Sequence, residues 1–168
     1  MKVVIVSDSH GNMGVLKRIV KREEPFNLLF HLGDGIEDAL RLQRLVGFNL
    51  DGVEGNNDLK GQFPTSLVLR FGKKRCLFTH GHLFEVGRDF SVLMAQARIE
   101  KAALVFFGHT HRFHDSIQKG IRLLNPGSTC NYLTKETGYL VLSMEGDNLC
   151  IERKLIKETN NQVKLTNS

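Results

Sequence analysis

The chain has 168 residues, 41% of them apolar, and a formal net charge of +5. That length and apolar share fit one domain with a core of ordinary size, and no apolar stretch approaches the length of a membrane span. With no membrane-length run, a soluble, cytoplasmic chain is the expectation, and Cys76, Cys130 and Cys150, odd in number and without a CxxC pair, argue against a disulfide framework and a thiolate zinc site.

The N-terminal apolar run Lys2 to Val6 predicts a buried strand, too short for a signal-peptide core. Helical spacing follows over Asn12 to Arg22, with Leu16, Ile19 and Val20 on one side and Lys17, Arg18, Lys21 and Arg22 on the other, the pattern of a solvated basic face. The order then repeats: a strand over Leu28 to Leu32, a turn at Gly33 to Gly35, a helix over Ile36 to Val46, and a third short strand closing near Val53. Alternation at Leu67, Leu69 and Phe71, then Arg75 to Thr79, predicts a hairpin whose turn holds Lys73 and Lys74. Phe90, Leu93, Met94 and Ala97 mark one more helix, and Ala102 to Phe107 a strand. Beyond it the pattern is all strand: Phe113 to Gln118, Ile121 to Asn125, Tyr139 to Met144 and Leu149 to Ile156. An alternating first half and a strand-rich second half point to an α/β fold with two sheets packed together and helices outside. The domain is expected over 1–157, with a polar, flexible tail over 158–168. Its basic clusters lie on a helix face and in a hairpin turn, so nucleic acid is not the expected partner.

Asp, His and Asn residues fall just past the C-terminal ends of these strands. Asp8 and His10 follow the first, Asp34 the second, Asn56 the third, His80 the strand ending at Thr79, and His109 and His111 the strand ending at Phe107. Ligands bind at the carboxyl ends of strands in open α/β sheets. Carboxylate, imidazole and amide oxygen without thiolate suit Mn²⁺, Fe²⁺, Zn²⁺ or Ni²⁺. Those seven donors exceed what one ion needs, so two ions sharing a carboxylate fit the count. Asp8-x-His10 and His109-x-His111 are expected to aim in pairs, as side chains two apart do on an extended segment.

The ordered blocks Asp8-x-His10, Gly33-Asp34, Gly55-Asn56-Asn57-Asp58, His80-Gly81-His82 and Gly108-His109-Thr110-His111 resemble the calcineurin-like metallophosphoesterase superfamily, in particular its small bacterial and archaeal phosphodiesterases. Asn125-Pro126-Gly127-Ser128 also resembles a segment common in small members. The resemblance implies a four-layer α/β/β/α sandwich of two mixed sheets flanked by helices. It implies that Asp8, His10 and His111 hold one metal, that Asn56, His80 and His109 hold a second, and that Asp34 bridges them. The cofactors are then two divalent ions, Mn²⁺ first, with Ni²⁺, Fe²⁺ or Zn²⁺ also fitting. Ions roughly 3.5–4 Å apart can hold a bridging hydroxide for attack on phosphorus, so the implied function is a dinuclear phosphodiesterase acting on small phosphodiesters, with no membrane partner and compatible with a homodimer. Two other readings share the fold: a protein-binding scaffold like the retromer sorting subunit, which has lost several ligands, and a nuclease, which needs a surface for a polymer.

Many superfamily members have His where this chain has Asn57. An amide donates a hydrogen bond but is no general acid at neutral pH, which points to diesters with activated leaving groups rather than alkyl monoesters. Asn57 and Asp58 are the candidate catalytic residues, Asp58 either capping its own turn or supporting position 57. His82 and Arg112 are the candidate substrate-binding residues, the first with a loop-holding alternative and the second with a solvent-facing one. His31 and His114 read as packing or surface residues, Glu37 and Asp38 as first-turn acids favoured by the helix dipole. Gly11, Gly33, Gly55, Gly81 and Gly108 read as permission for tight loops.

Overall fold

Strand β1 (Lys2–Val6) is buried on both faces, which is why its sequence is a continuous apolar run rather than an alternating one. Val3 and Ile5 enter a core between two sheets, while Val4 and Val6 pack under helices on the outer face. The computed structural model describes residues 1–130 and 136–156, and the expected tail at 158–168 lies outside them.

In chain order the elements are β1, α1 (Met13–Glu23), β2 (Leu28–His31), α2 (Ile36–Val46), β3 (Leu50–Gly52), β4 (Ser66–Phe71), β5 (Lys74–Thr79), a 3-10 turn at His82–Phe84, α3 (Ser91–Ile99), β6 (Leu104–Phe106), β7 (Phe113–Gln118), β8 (Ile121–Pro126), β9 (Thr137–Glu145) and β10 (Asn148–Ile156). The first sheet has the order β10-β9-β1-β2-β3 and the second β4-β5-β6-β8-β7. Both are mixed: β1, β2 and β3 are parallel and β9 and β10 antiparallel, while β5, β6 and β8 are parallel with antiparallel β4 and β7 at the edges.

Three apolar cores define four layers. Phe30, Phe78 and Phe106 form a ring stack between the sheets, with centroids 4.3 and 4.8 Å apart. Leu16, Ile19, Val20, Ala39 and Leu42 seat α1 and α2 on the first sheet, and Leu93, Met94 and Ala97 seat α3 on the second. The α/β/β/α sandwich is therefore as the resemblance implies. Asn12 caps α1 by accepting the Val15 N–H. Helix α2 begins at Gly35, which has no side chain to cap it, and the substitute is described below. Among the described residues no helix is long and apolar enough to cross a membrane.

At the end away from the strand C-termini, Glu23 is buried and holds a polar node. Its carboxylate accepts from Tyr139 Oη at 2.6 Å and from Lys154 Nζ at 3.1 and 3.2 Å, and pairs with Lys2 Nζ at 2.8 Å. Burial pushes its pKa up, but Lys2, Tyr139 and Lys154 outweigh that and lower it to about 2.

Candidate metal centre

The loops leaving the strands are locked to one another before any side chain is considered. Asp8 N–H donates to Gly33 O at 3.0 Å and His10 N–H to Asp34 O at 3.3 Å. Gly108 N–H donates to His80 O, and Thr129 N–H to Ser7 O, both at 3.0 Å. Asp8, His10, Asp34, His109 and His111 all have positive φ, between 43 and 66°. Non-glycine residues avoid this left-handed region at a cost of about 1–3 kcal/mol each, and such strain gathers where function over-determines the backbone. The expected extended pairs are thus corrected: all four residues sit in left-handed turns, because the chain leaves the strand ends rather than continuing as strand; Asp8 and His10 still approach to 3.9 Å, while His111 lies against His10 and His109 against His80.

The turned loops bring donor atoms together. His111 Nε2 lies 3.2 Å from Asp8 Oδ1 and 3.3 Å from His10 Nε2. Asp34 Oδ2 lies 3.4 Å from His80 Nε2 and 3.9 Å from His10 Nε2. Two overlapping groups could each hold a metal ion: Asp8, His10 and His111, and Asp8, Asp34 and His80. His80 Nδ1 donates to Leu32 O at 2.7 Å, which leaves Nε2 as the lone-pair nitrogen facing the acids. Both His80 Nε2 and Asp8 Oδ1 are buried without a hydrogen-bond partner. A buried acceptor left unpaired costs about 1–3 kcal/mol, and one such atom stands in each of the two donor groups, as bound cations would require. The donor set of carboxylate and imidazole is that of a first-row divalent ion.

The titration behaviour agrees with a concentration of negative charge there. Burial raises the Asp34 pKa, but contacts with His80 and Asn57 outweigh it and hold the carboxyl well below the usual range. Burial opposes protonation of His80, and Asp34 and Asp8 overcome it, so that pKa is raised. A contact with Asp8 raises His111. Burial and the neighbouring His80 lower His109 and His82.

Residues 1–147 match the calcineurin-like phosphoesterase superfamily domain. The chain belongs to this superfamily. A probable metallophosphoesterase, YsnB from Bacillus subtilis, is 34% identical over 149 residues, covering 88% of this chain and 86% of that one. Phosphodiesterase MJ0936 from Methanocaldococcus jannaschii is 24% identical over 151 residues, 80% of this chain and 87% of that one. Among solved structures, a predicted phosphoesterase of Streptococcus pneumoniae aligns with TM-score 0.74 at 27% identity, covering 92% of this chain and 88% of that one. Vps29 of Entamoeba histolytica complexed with zinc aligns with TM-score 0.72 at 19% identity over 92% and 99% of the two chains, a likeness of fold. Membership of the calcineurin-like superfamily implies phosphoester hydrolysis with divalent metal ions.

The remaining site residues of this calcineurin-like chain take distinct places. Asn56 is exposed on the turn after Gly55, its side chain making no hydrogen bond with the described residues. The His109 ring meets His80 edge-on at 5.2 Å. Asn57 Nδ2 donates to Asp34 Oδ2 at 2.6 Å. Asp58 faces backbone: Oδ2 accepts from Asp34 and Gly55 N–H, and Oδ1 from Gly35 and Ile36 N–H, at 2.7–3.0 Å. It therefore caps α2 in place of Gly35. His82 opens the 3-10 turn 5.3 Å from the His80 ring, its Nδ1 buried and unpartnered. Arg112 is exposed on the rim beside His109 and Thr110.

Several residues outside the proposed metal set support it in ways that the sequence reading did not assign to them. Asp38 Oδ2 accepts from Ser9 Oγ and Gly11 N–H, both at 2.7 Å, so this first-turn acid clamps the loop on either side of His10. His31 is a buried core histidine whose Nδ1 accepts the Gly33 N–H at 3.1 Å. Burial lowers its pKa to about 4, so it is neutral and offers Nε2–H to Ser9 Oγ. Asn125 donates to Gly108 O at 2.7 Å and to Thr110 Oγ1 at 3.1 Å, and Ser128 Oγ donates to Asp8 O at 2.8 Å. The Asn125 to Ser128 block noted in the sequence is thus a brace for both His-bearing and Asp-bearing loops.

Proposed function

We propose that this chain is a dinuclear metal-dependent phosphodiesterase acting on small diesters. The observation that carries the reading is the pair of buried, unpartnered atoms Asp8 Oδ1 and His80 Nε2 set among His10, Asp34 and His111. Asp8, His10 and His111 would hold one ion and Asn56, His80 and His109 the other. Asp34 would serve both, since its Oδ2 already reaches from His10 to His80. When bound, two such ions supply an activated water and neutralise charge building on the phosphoryl oxygens.

The protein's own part is placement. Asp58 fixes the backbone under Asp34 and Gly55, and Asn57 orients the Asp34 carboxylate. Arg112 stands at the rim, where a guanidinium can meet a phosphate oxygen. With an amide at position 57, the leaving oxygen receives no proton from that side chain, so diesters with good leaving groups are the favoured substrates. The name of the archaeal relative supports the diester preference.

The test is hydrolysis of bis-p-nitrophenyl phosphate and p-nitrophenyl phosphate by metal-stripped protein, with Mn²⁺, Ni²⁺, Zn²⁺ or Mg²⁺ restored in turn and Asp34→Ala as control. Metal-dependent turnover that prefers the diester and vanishes in Asp34→Ala is expected. A folded protein inactive with every ion would overturn the reading in favour of a binding scaffold.

A further inference from the structure

A cleft of about 480 Å³ opens beside the donor cluster, walled by Val86, Phe90, Phe107 and Phe113, with His109 and Arg112 on its border. That size suits a small organic ligand, for which pockets run from roughly 300 to 1,000 Å³. His109 belongs to this wall and also to the metal set proposed above, so the cleft leads directly off the reaction centre.

Its lining is mixed, polar at His109, Thr110 and Arg112, with an aromatic side at Phe90 and Phe113. Phe90 meets the buried Phe107 edge-on with centroids 5.4 Å apart. The His114 ring lies 4.7 Å from Phe90 and 5.8 Å from Phe107. Its Nε2 is engaged with Ser116 Oγ at 2.8 Å. Phe113 remains 38% exposed and is held by the Arg153 guanidinium, 4.0 Å from its ring centroid. At the border, Arg112 pairs with no carboxylate among the described residues. Rings in a wall prefer a further ring, edge-on or offset, and such contacts add about 0.5–1.5 kcal/mol beyond the area they bury.

Resting on the phosphodiesterase reading, we infer that the cleft selects phosphodiesters with a planar aromatic group on one ester arm, an aryl ring or a nucleobase, the Arg112 guanidinium meeting the phosphate as the ring enters between Phe90 and Phe113. The small methyl or ethyl arm of a simple alkyl diester would leave this wall uncovered.

The experiment uses methylphosphonate monoesters, which keep the single negative charge of a diester, as inhibitors of bis-p-nitrophenyl phosphate hydrolysis by the Mn²⁺-restored full chain. The ester arms are methyl, cyclohexyl, phenyl and thymidine 5′. Phenyl or thymidine esters are expected to inhibit about tenfold more tightly than the methyl ester, and more tightly than cyclohexyl. Whichever of the two is tighter names the arm. The advantage should fall to about twofold in Phe113→Ala, a surface position, and in Phe90→Leu. An NMR titration of metal-stripped protein with the same esters reads binding without turnover, and the aromatic ones should shift the Phe90, Arg112 and Phe113 amides. Equal inhibition by all four arms, or by phenyl and cyclohexyl, would overturn the inference while hydrolysis itself left the phosphodiesterase reading standing. If no ion supports hydrolysis, that reading falls, and the titration alone decides whether the cleft prefers an aromatic ring.

Discussion

Asn57 grips the Asp34 carboxylate with two hydrogen bonds, from its backbone N–H to Oδ1 at 2.8 Å and from its side-chain amide to Oδ2 at 2.6 Å. The residue that replaces a common superfamily histidine therefore acts on the acid expected to serve both ions. Partners of metal ligands typically contribute 10–100-fold in affinity. Asn57→Ala keeps the backbone bond and loses the other, so Mn²⁺ affinity should fall by about tenfold. Calorimetric titration of metal-stripped protein checks it, and an unchanged affinity would show the contact to be incidental.

Gly55 tests how closely the second loop must approach. A Cβ there would sit 2.1 Å from Asp34 Oδ1 and 2.6 Å from Asp34 N. Gly55→Ala should displace Asp34 and reduce turnover by at least about 100-fold, the scale of a 1 Å misplacement. Its circular dichroism spectrum should stay native. Wild-type activity in this variant would mean that the loop tolerates the shift.

Asp58 joins four backbone N–H groups from three loop positions and the first turn of α2. Replacing a charged acceptor that satisfies several donors should cost about 3 kcal/mol in Asp58→Ala, measured by urea unfolding, with weaker metal binding as a second readout. Asp58→Asn, which keeps one acceptor oxygen, should recover part of both.

Glu23 gives a stability term with a defined pH window. Its folded pKa of about 2 lies below the ordinary 4.5. The contribution is therefore complete above pH 4.5 and disappears as pH falls through 2, because the unfolded chain takes up the proton first. The shift corresponds to about 3 kcal/mol. The unfolding free-energy gap between wild type and Glu23→Gln should approach that value near pH 6 and narrow steadily below pH 4.5. A gap independent of pH would place the effect in packing instead.

Metal should also stabilise the fold. An ion bound only by the native state adds about 2.7 kcal/mol at a hundredfold excess over its Kd, so thermal melting of metal-stripped protein should shift upward with Mn²⁺. The shift should be lost in Asp34→Ala and shrink below about pH 6, as protons compete for the histidines.

Element placement was largely legible because burial here has a simple period. The helix expected over Ile36 to Val46 forms over those residues, and strands seven to ten begin or end within two residues of their expected limits. Short strands flanked by turns were harder: the one expected over Ala102 to Phe107 is reduced to Leu104–Phe106, and β3 ends at Gly52 rather than Val53. Of the candidate ligands expected after strand ends, the structure groups Asp8, His10, Asp34, His80 and His111, and these were legible as residue types. Their geometry was not, since backbone handedness at Asp8 or His111 leaves no mark in composition. Nor does side-chain identity say which backbone amides Asp38 or Asp58 will meet, because those partners lie on loops distant in sequence.

The order of the first sheet has a consequence for how the chain is made. Strand β1 lies between β2, complete by His31, and β9, which begins at Thr137. During synthesis one edge of β1 therefore waits for most of the chain to emerge, with Val3, Val4, Ile5 and Val6 presented along an open hydrogen-bonding edge. Such edges pair with other chains when left bare. The pairing of the apolar segment at the start of the chain is thus completed only near the end of the sequence, by β9.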